Sequence, residues 1–263
     1  MRIALVQYAP YFGEVEKNFD RLRSMLANIE ADVFIFPELF STGYLFKDKD
    51  ELRTFAEPFP DGKTHRFLAE IANDKDAAAM GGFPESAGDK IYNSSAFVLP
   101  NGDSTLYRKI HLFSEEKSIF EPGDLPFKIV EFKGARFGSM ICFDWIFPES
   151  YRTLAIRGAD IICHMSNLVL PYCQMASYAH AVSNRVFIAV ANRIGVETHG
   201  GNSLKFTGES IVYSPKGDVL GELGDSDEAV LVVDIAPELA RDKMVTATND
   251  VIKDRRPEFY ETA

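Results

Sequence analysis

The chain has 263 residues, 46% apolar and 25% charged, a balance that excludes disordered and fibrous classes; on the usual scaling roughly 70–75% of the unfolded surface can be buried. Thirty-nine acidic against 28 basic side chains give a formal charge of −11, so the overall field repels phosphate backbones and anionic lipid, and neither nucleic acid nor membrane is an expected partner. Cys142, Cys163 and Cys173 are too few for a disulfide framework and wrongly spaced for zinc, and the opening MRIALVQYAP meets Glu14, Glu16 and Lys17 too soon for a signal or a span, so the expectation is a reduced cytoplasmic protein.

In chain order, the apolar run Ile3 to Tyr8 predicts a buried strand. Glu16 to Ile29 predicts a helix, because Phe19, Leu22, Met25, Leu26 and Ile29 recur at steps of three and four and share one face. A strand is predicted at Val33 to Phe36, a helix from about Lys63 to Ile71, and strands at Ala77 to Phe83 and Ser95 to Leu99. The alternation continues with strand Arg136 to Cys142, helix Glu149 to Arg157, strand Asp160 to Met165, a helix near Met175 to Ser183 and strand Val186 to Ala191. Ile211 to Leu220 turns at Ser-Pro-Lys-Gly-Asp between two strands, and Ala229 to Ile235 is a last one. Interleaved helices and strands with no linker predict one α/β domain over residues 1–263. The hairpin implies a sheet of mixed direction, and periodicity leaves open whether there is one sheet or two in a stack.

Three loops each carry a reactive side chain just after a strand, where a rigid scaffold can present it. In Phe-Pro-Glu38-Leu-Phe the carboxylate is walled by Phe36, Pro37 and Phe40, and desolvation raises its pKa toward that of a usable base; alone, it reads equally as a capping carboxylate. In Tyr-Arg-Lys109-Ile-His111-Leu-Phe a semi-buried ammonium could stabilise an oxyanion, although a solvated basic turn is the commoner fate, and His111 is a rival base of the papain type. In Ile-Cys142-Phe-Asp-Trp-Ile-Phe-Pro148-Glu149 a thiol ends an apolar strand before a helix start, where backbone N–H groups are expected to lower its pKa and make thiolate available, although a small buried hydrophobe is the commoner fate of a free cysteine. Cys163 and His164, inside an apolar strand, read as core residues, and Cys173 stays open. Gly62-Lys63-Thr64 lacks the upstream glycine of a phosphate loop, and Asn93-Ser94-Ser95 matches a glycosylation acceptor without a secretory context. There is no G-x-S-x-G, H-E-x-x-H or G-x-G-x-x-G.

Spacing alone cannot bring Glu38, Lys109 and Cys142 together. Their ordered blocks, Phe-Pro-Glu38-Leu, Tyr-Arg-Lys109-Ile-His-Leu-Phe and Cys142-Phe-Asp-Trp-Ile-Phe-Pro-Glu, resemble the three signature blocks of the nitrilase superfamily of carbon–nitrogen hydrolases. Similarity extends through Phe120-Glu-Pro-Gly123, Asn184-Arg185 and Asp254 to Tyr260. The resemblance implies a four-layer α-β-β-α sandwich that forms homodimers, with Cys142 as nucleophile, Glu38 as base and later acid, and Lys109 with the Phe143 backbone N–H as oxyanion partners. It also implies Glu116 as a further positioning carboxylate and no metal or organic cofactor.

Family members that take carboxylated substrates often carry arginine four residues after the nucleophile; this chain has Ile146 there, which argues against a substrate carboxylate. Trp145, Phe40, Tyr44 and Asn167 to Tyr172 could build an apolar pocket for a small aliphatic or aromatic amide, and read equally as packing aromatics. Amidase is the preferred reading; a nitrilase, an N-carbamoyl amidohydrolase and an inactive interaction module are its rivals.

Overall fold

The computed structural model describes residues 1–260. Two six-stranded sheets dominate it. The first has the order β14-β1-β2-β3-β4-β5, built from Arg2–Gln7 (β1), Val33–Ile35 (β2), Ala78–Ala87 (β3), Lys90–Val98 (β4), Ser104–Arg108 (β5) and Ala229–Asp234 (β14). The second has the order β13-β12-β9-β8-β7-β6, from Ile129–Phe132 (β6), Ala135–Ile141 (β7), Ile161–Ser166 (β8), Phe187–Asn192 (β9), Ile211–Tyr213 (β12) and Val219–Glu222 (β13). Val196–His199 (β10) and Asn202–Lys205 (β11) form a separate hairpin.

Both sheets have the same pattern of directions. β1, β2 and β3 run parallel, as do β7, β8 and β9, and every other pairing is antiparallel. The two sheets therefore share one pattern of strand directions, although the first is completed by β14 from the far end of the chain.

Burial follows from the pleat. In β1, Ile3 and Leu5 join the core that also contains Met140, Ile162 and Val190 of the second sheet, whereas Ala4 and Val6 face the cluster containing Phe19, Leu22, Phe67 and Leu68. Those last four lie on the helices Val15–Leu26 (α1) and Lys63–Lys75 (α3), and β1 lies against β9 and β4 against β7 across the stack. Tyr151 and Leu154 of Pro148–Ile156 (α5) and Ala181 of Cys173–Asn184 (α6) extend the core on the other side. The four layers implied by the resemblance are the layers observed. Central strands covered on both faces read as continuous apolar runs, which is why β1, β8 and β9 are legible in the sequence.

Elements outside the expectation include the helix Lys49–Phe55 (α2), β5, β6 and the β10–β11 hairpin. Each is short and largely polar or half-exposed, so it carries little hydrophobic period. Gly62-Lys63-Thr64 is indeed a helix start. Among the described residues no helix is long and apolar enough to cross a membrane.

Candidate active site

Glu38 follows β2 in a turn with Leu39 in the left-handed region, φ +46°. Its carboxylate is 0% exposed; Oε1 accepts from Lys109 Nζ and from Asn93 Nδ2, both at 2.7 Å, and Oε2 has no hydrogen-bond partner among the described residues. Burial raises its pKa, an effect that Lys109 opposes and Glu116 reinforces. The turn sits on Gly82, where a Cβ would lie 2.7 Å from both Glu38 Cα and Leu39 N. Gly82→Ala must displace that backbone and should lower turnover by on the order of tenfold or more while the protein stays folded, as checked by activity and circular dichroism on the purified variant.

Lys109 directly follows β5 and leads into the turn before the one-turn helix Glu116–Ile119 (α4), which supplies Glu116. Its Nζ lies 2.7 Å from Glu38 Oε1 and 2.7 Å from Glu116 Oε1, with no exposed side-chain surface. Burial disfavours the ammonium, but Glu116 and Glu38 outweigh that penalty and lift its pKa above the usual lysine range. Glu116 Oε1 also accepts from Tyr44 Oη at 2.8 Å, and Oε2 accepts from the Phe113 N–H at 3.0 Å.

Cys142 opens a 3-10 turn, Cys142–Ile146, with φ +41°, a conformation that costs a non-glycine residue about 1–3 kcal/mol. Burial and then Glu38 push its thiol well above the ordinary range, while Lys109 and the Asn167 backbone N–H pull the other way. Desolvation thus works against the expected thiolate, because burial of the sulfur disfavours its charged form more than Lys109 and the Asn167 N–H favour it. The Sγ borders a slot of about 10 Å³, room for roughly one water, walled by Phe113, Phe143, Trp145, Val169 and Leu170. Asn167 also lines it, with both Oδ1 and Nδ2 buried and unpartnered. No charged side chain is among the residues described as lining the slot.

A family model described as carbon-nitrogen hydrolase matches residues 2–243. The chain belongs to the carbon–nitrogen hydrolases. It is 41% identical to a nitrilase of Pyrococcus abyssi over 99% of both chains, and 35% identical to an (R)-stereoselective amidase of Pseudomonas over 97% of this chain and 92% of that one. Its structure matches, at TM-score 0.81 and 28% identity over 98% and 94% of the two chains, a Nesterenkonia amidase of which the active-site cysteine carries the acetamide moiety of fluoroacetamide. The protein is thus an enzyme of the nitrilase superfamily.

Other parts of the expected pocket lie elsewhere in this hydrolase. Phe40 stacks on Phe36 at 4.8 Å within the helix-facing core, and Tyr172 is 59% exposed. The Tyr44 hydroxyl is engaged by Glu116 and its ring meets Phe206 edge-on at 6.0 Å. Trp145 lines the slot and also packs into the inter-sheet core. His111 turns its Nδ1 and its backbone N–H to Asp144, at 2.8 and 3.2 Å, and stacks on Phe147 at 3.7 Å.

Several buried polar groups around the site escape the sequence reading. Asn93, Ser94 and Ser95, the apparent glycosylation motif, are buried in β4, and Asn93 binds Glu38. Asp144 accepts from Tyr107 Oη at 2.6 Å, the Ile141 N–H at 3.0 Å and His111, tying the lysine block to the cysteine turn. The carboxylate two residues after Cys142 is the signal that could have revealed it. His164 Nε2 lies 2.8 Å from the Cys142 carbonyl, which makes that nitrogen the donor, and burial lowers its pKa to about 4, so the ring is neutral. Its Nδ1 meets Cys173 Sγ at 3.7 Å; Cys173 starts α6 rather than lying in a loop, and burial raises its thiol to about 12. Cys163 is wholly buried.

Proposed function

We propose that the enzyme hydrolyses a small uncharged amide through a thioester on Cys142, with Glu38 as base and acid and Lys109 as oxyanion partner. The observation that carries this reading is the buried Glu38 carboxylate, 2.7 Å from Lys109 Nζ and with Oε2 unpartnered among the described residues, in a site whose slot Cys142 lines.

As Cys142 Sγ adds to the carbonyl carbon, its proton passes to Glu38, whose burial makes it a stronger base than a solvated carboxylate. The carbonyl oxygen becomes anionic beside Lys109 Nζ and the Phe143 N–H, and one such donor is typically worth about 10²–10³ in rate. The C–N bond then breaks, Glu38 returns the proton to nitrogen, and ammonia or an amine leaves. Water loses a proton to Glu38 as it attacks the thioester; the acid product departs and the thiol takes the proton back. Glu116, held by Tyr44 and Phe113, fixes the ammonium toward the oxyanion. His111 is committed to Asp144, which favours Glu38 over a papain-type base.

The uncharged walls and the exposed Ile146 support a neutral acyl group, and Asn167 offers it one polar contact. Conversion of nitriles is the second reading, favoured by the name of the Pyrococcus relative. Ammonia release from parallel panels of aliphatic and aromatic amides, N-carbamoyl compounds and nitriles separates the two, and turnover of nitriles alone would overturn the amidase assignment. Glu38→Gln keeps an acceptor for Lys109 and Asn93 but cannot take a proton, so turnover should fall on the order of 10²-fold with the fold retained. Full activity in that variant would remove Glu38 from the chemistry.

A further inference from the structure

Beyond the triad, the enzyme buries a second ion pair. Arg193 Nη1 lies 2.8 Å from Glu197 Oε2, and both side chains are almost fully buried. A buried pair of this kind is seldom a net gain over apolar packing, so its position calls for another explanation. Glu197 Oε1 accepts from the backbone N–H of Tyr44 at 2.8 Å and of Leu45 at 2.6 Å, in a stretch without helix or strand that would otherwise leave both donors unsatisfied. Gly43, at φ +87°, lets the chain pass: a Cβ there would lie 2.7 Å from Glu197 Oε2. On the other side, the Arg193 guanidinium lies 3.9 Å over the Phe206 ring, against which Tyr44 also packs.

We propose that Glu197, oriented by Arg193, is a positioning residue for the lysine of the active site. It seats the Tyr44 backbone, the Tyr44 hydroxyl holds Glu116 at 2.8 Å, and Glu116 holds Lys109 at 2.7 Å. The chain of contacts delivers no group to substrate; it sets where the ammonium sits. The inference rests on the proposed role of Lys109.

The test compares kcat and KM on one amide for Glu197→Gln, Glu197→Asp and Glu197→Ala, each alone and combined with Tyr44→Phe. Gln keeps an acceptor for both N–H groups but turns its NH2 toward Arg193 and so breaks the ion pair, a loss to be read separately in thermal stability, whereas Asp keeps the charge and retracts. Positioning predicts that Gln keeps kcat within about threefold of wild type, while Asp and Ala lose about tenfold or more with KM little changed. In the Tyr44→Phe background the Asp penalty should shrink to about threefold or less, because the link it acts through is already gone. If Asp is as active as Gln, or if its penalty is the same in both backgrounds, the pair only stabilises the fold and the proposal fails. If Tyr44→Phe alone leaves kcat unchanged, the role given to Glu116 and Lys109 fails instead, and the inference with it.

Discussion

Cys142→Ala is expected to abolish hydrolysis, by on the order of 10⁶ in kcat as when other covalent hydrolases lose their nucleophile, and to leave the protein folded. The second half of that expectation follows from the environment. Sγ makes no structural bridge, borders an apolar slot and donates to none of the groups that fix the turn. Asp144 on the Ile141 N–H and His164 on the residue-142 carbonyl do that through the backbone, and alanine keeps both contacts. Stability should change by about 1 kcal/mol or less, a few degrees in melting temperature at most. Ammonia release and thermal unfolding measured on the same preparation check both halves. Retention of even a tenth of wild-type turnover would mean that another group attacks the substrate.

Lys109→Met is expected to damage catalysis and stability together. Methionine fills much of the same volume but leaves Glu38 and Glu116 buried without the cation that lies 2.7 Å from each. Breaking a buried pair from one side typically costs about 3–5 kcal/mol, and loss of an oxyanion donor about 10²–10³ in kcat. The pH dependence has a defined sign. Glu38 already has a folded pKa above its unfolded value, through burial, and Lys109 opposes that rise. Without Lys109 the folded pKa climbs further. A carboxyl with a raised folded pKa stabilises the fold below its unfolded pKa and loses that contribution as pH rises through the folded value. The deficit of the variant relative to wild type should therefore be small near pH 4, around the unfolded glutamate pKa, and grow toward neutrality. Denaturant unfolding across that range measures it; a difference independent of pH would show that the lysine is not the counter-ion of a buried carboxylate.

The legibility of this chain tracks how local each signal is. Strands β1, β8 and β9 are largely apolar because sheet or helix covers both faces, and α1 shows its period because only one face is covered. β4 is partly hidden by Asn93, Ser94 and Ser95, polar residues that elsewhere signal a loop. Asn93 and Ser94 can be buried because Asn93 donates to Glu38 and Ser94 Oγ lies 2.6 Å from Glu85, whereas Ser95 Oγ has no partner among the described residues. Phe40 beside Glu38 looks like a pocket wall in one dimension, but the turn at Leu39 sends it to the opposite side of the sheet.

By itself the sequence determined an α/β chain with three reactive side chains, each following a strand, and resemblance of their blocks named a chemistry. Those are properties of a few consecutive residues, set by side-chain period and turn preference. What only the tertiary structure decided is their electrostatics. The ion pairing of Lys109, the unpartnered oxygen of Glu38, the burial of Cys142 and the Arg193–Glu197 pair depend on which groups, near and far along the chain, come to share one buried volume. Hydrogen bonds such as Lys109 to Glu38, with |i−j| of 71, and Glu197 to Tyr44, with |i−j| of 153, leave no periodic trace along the chain.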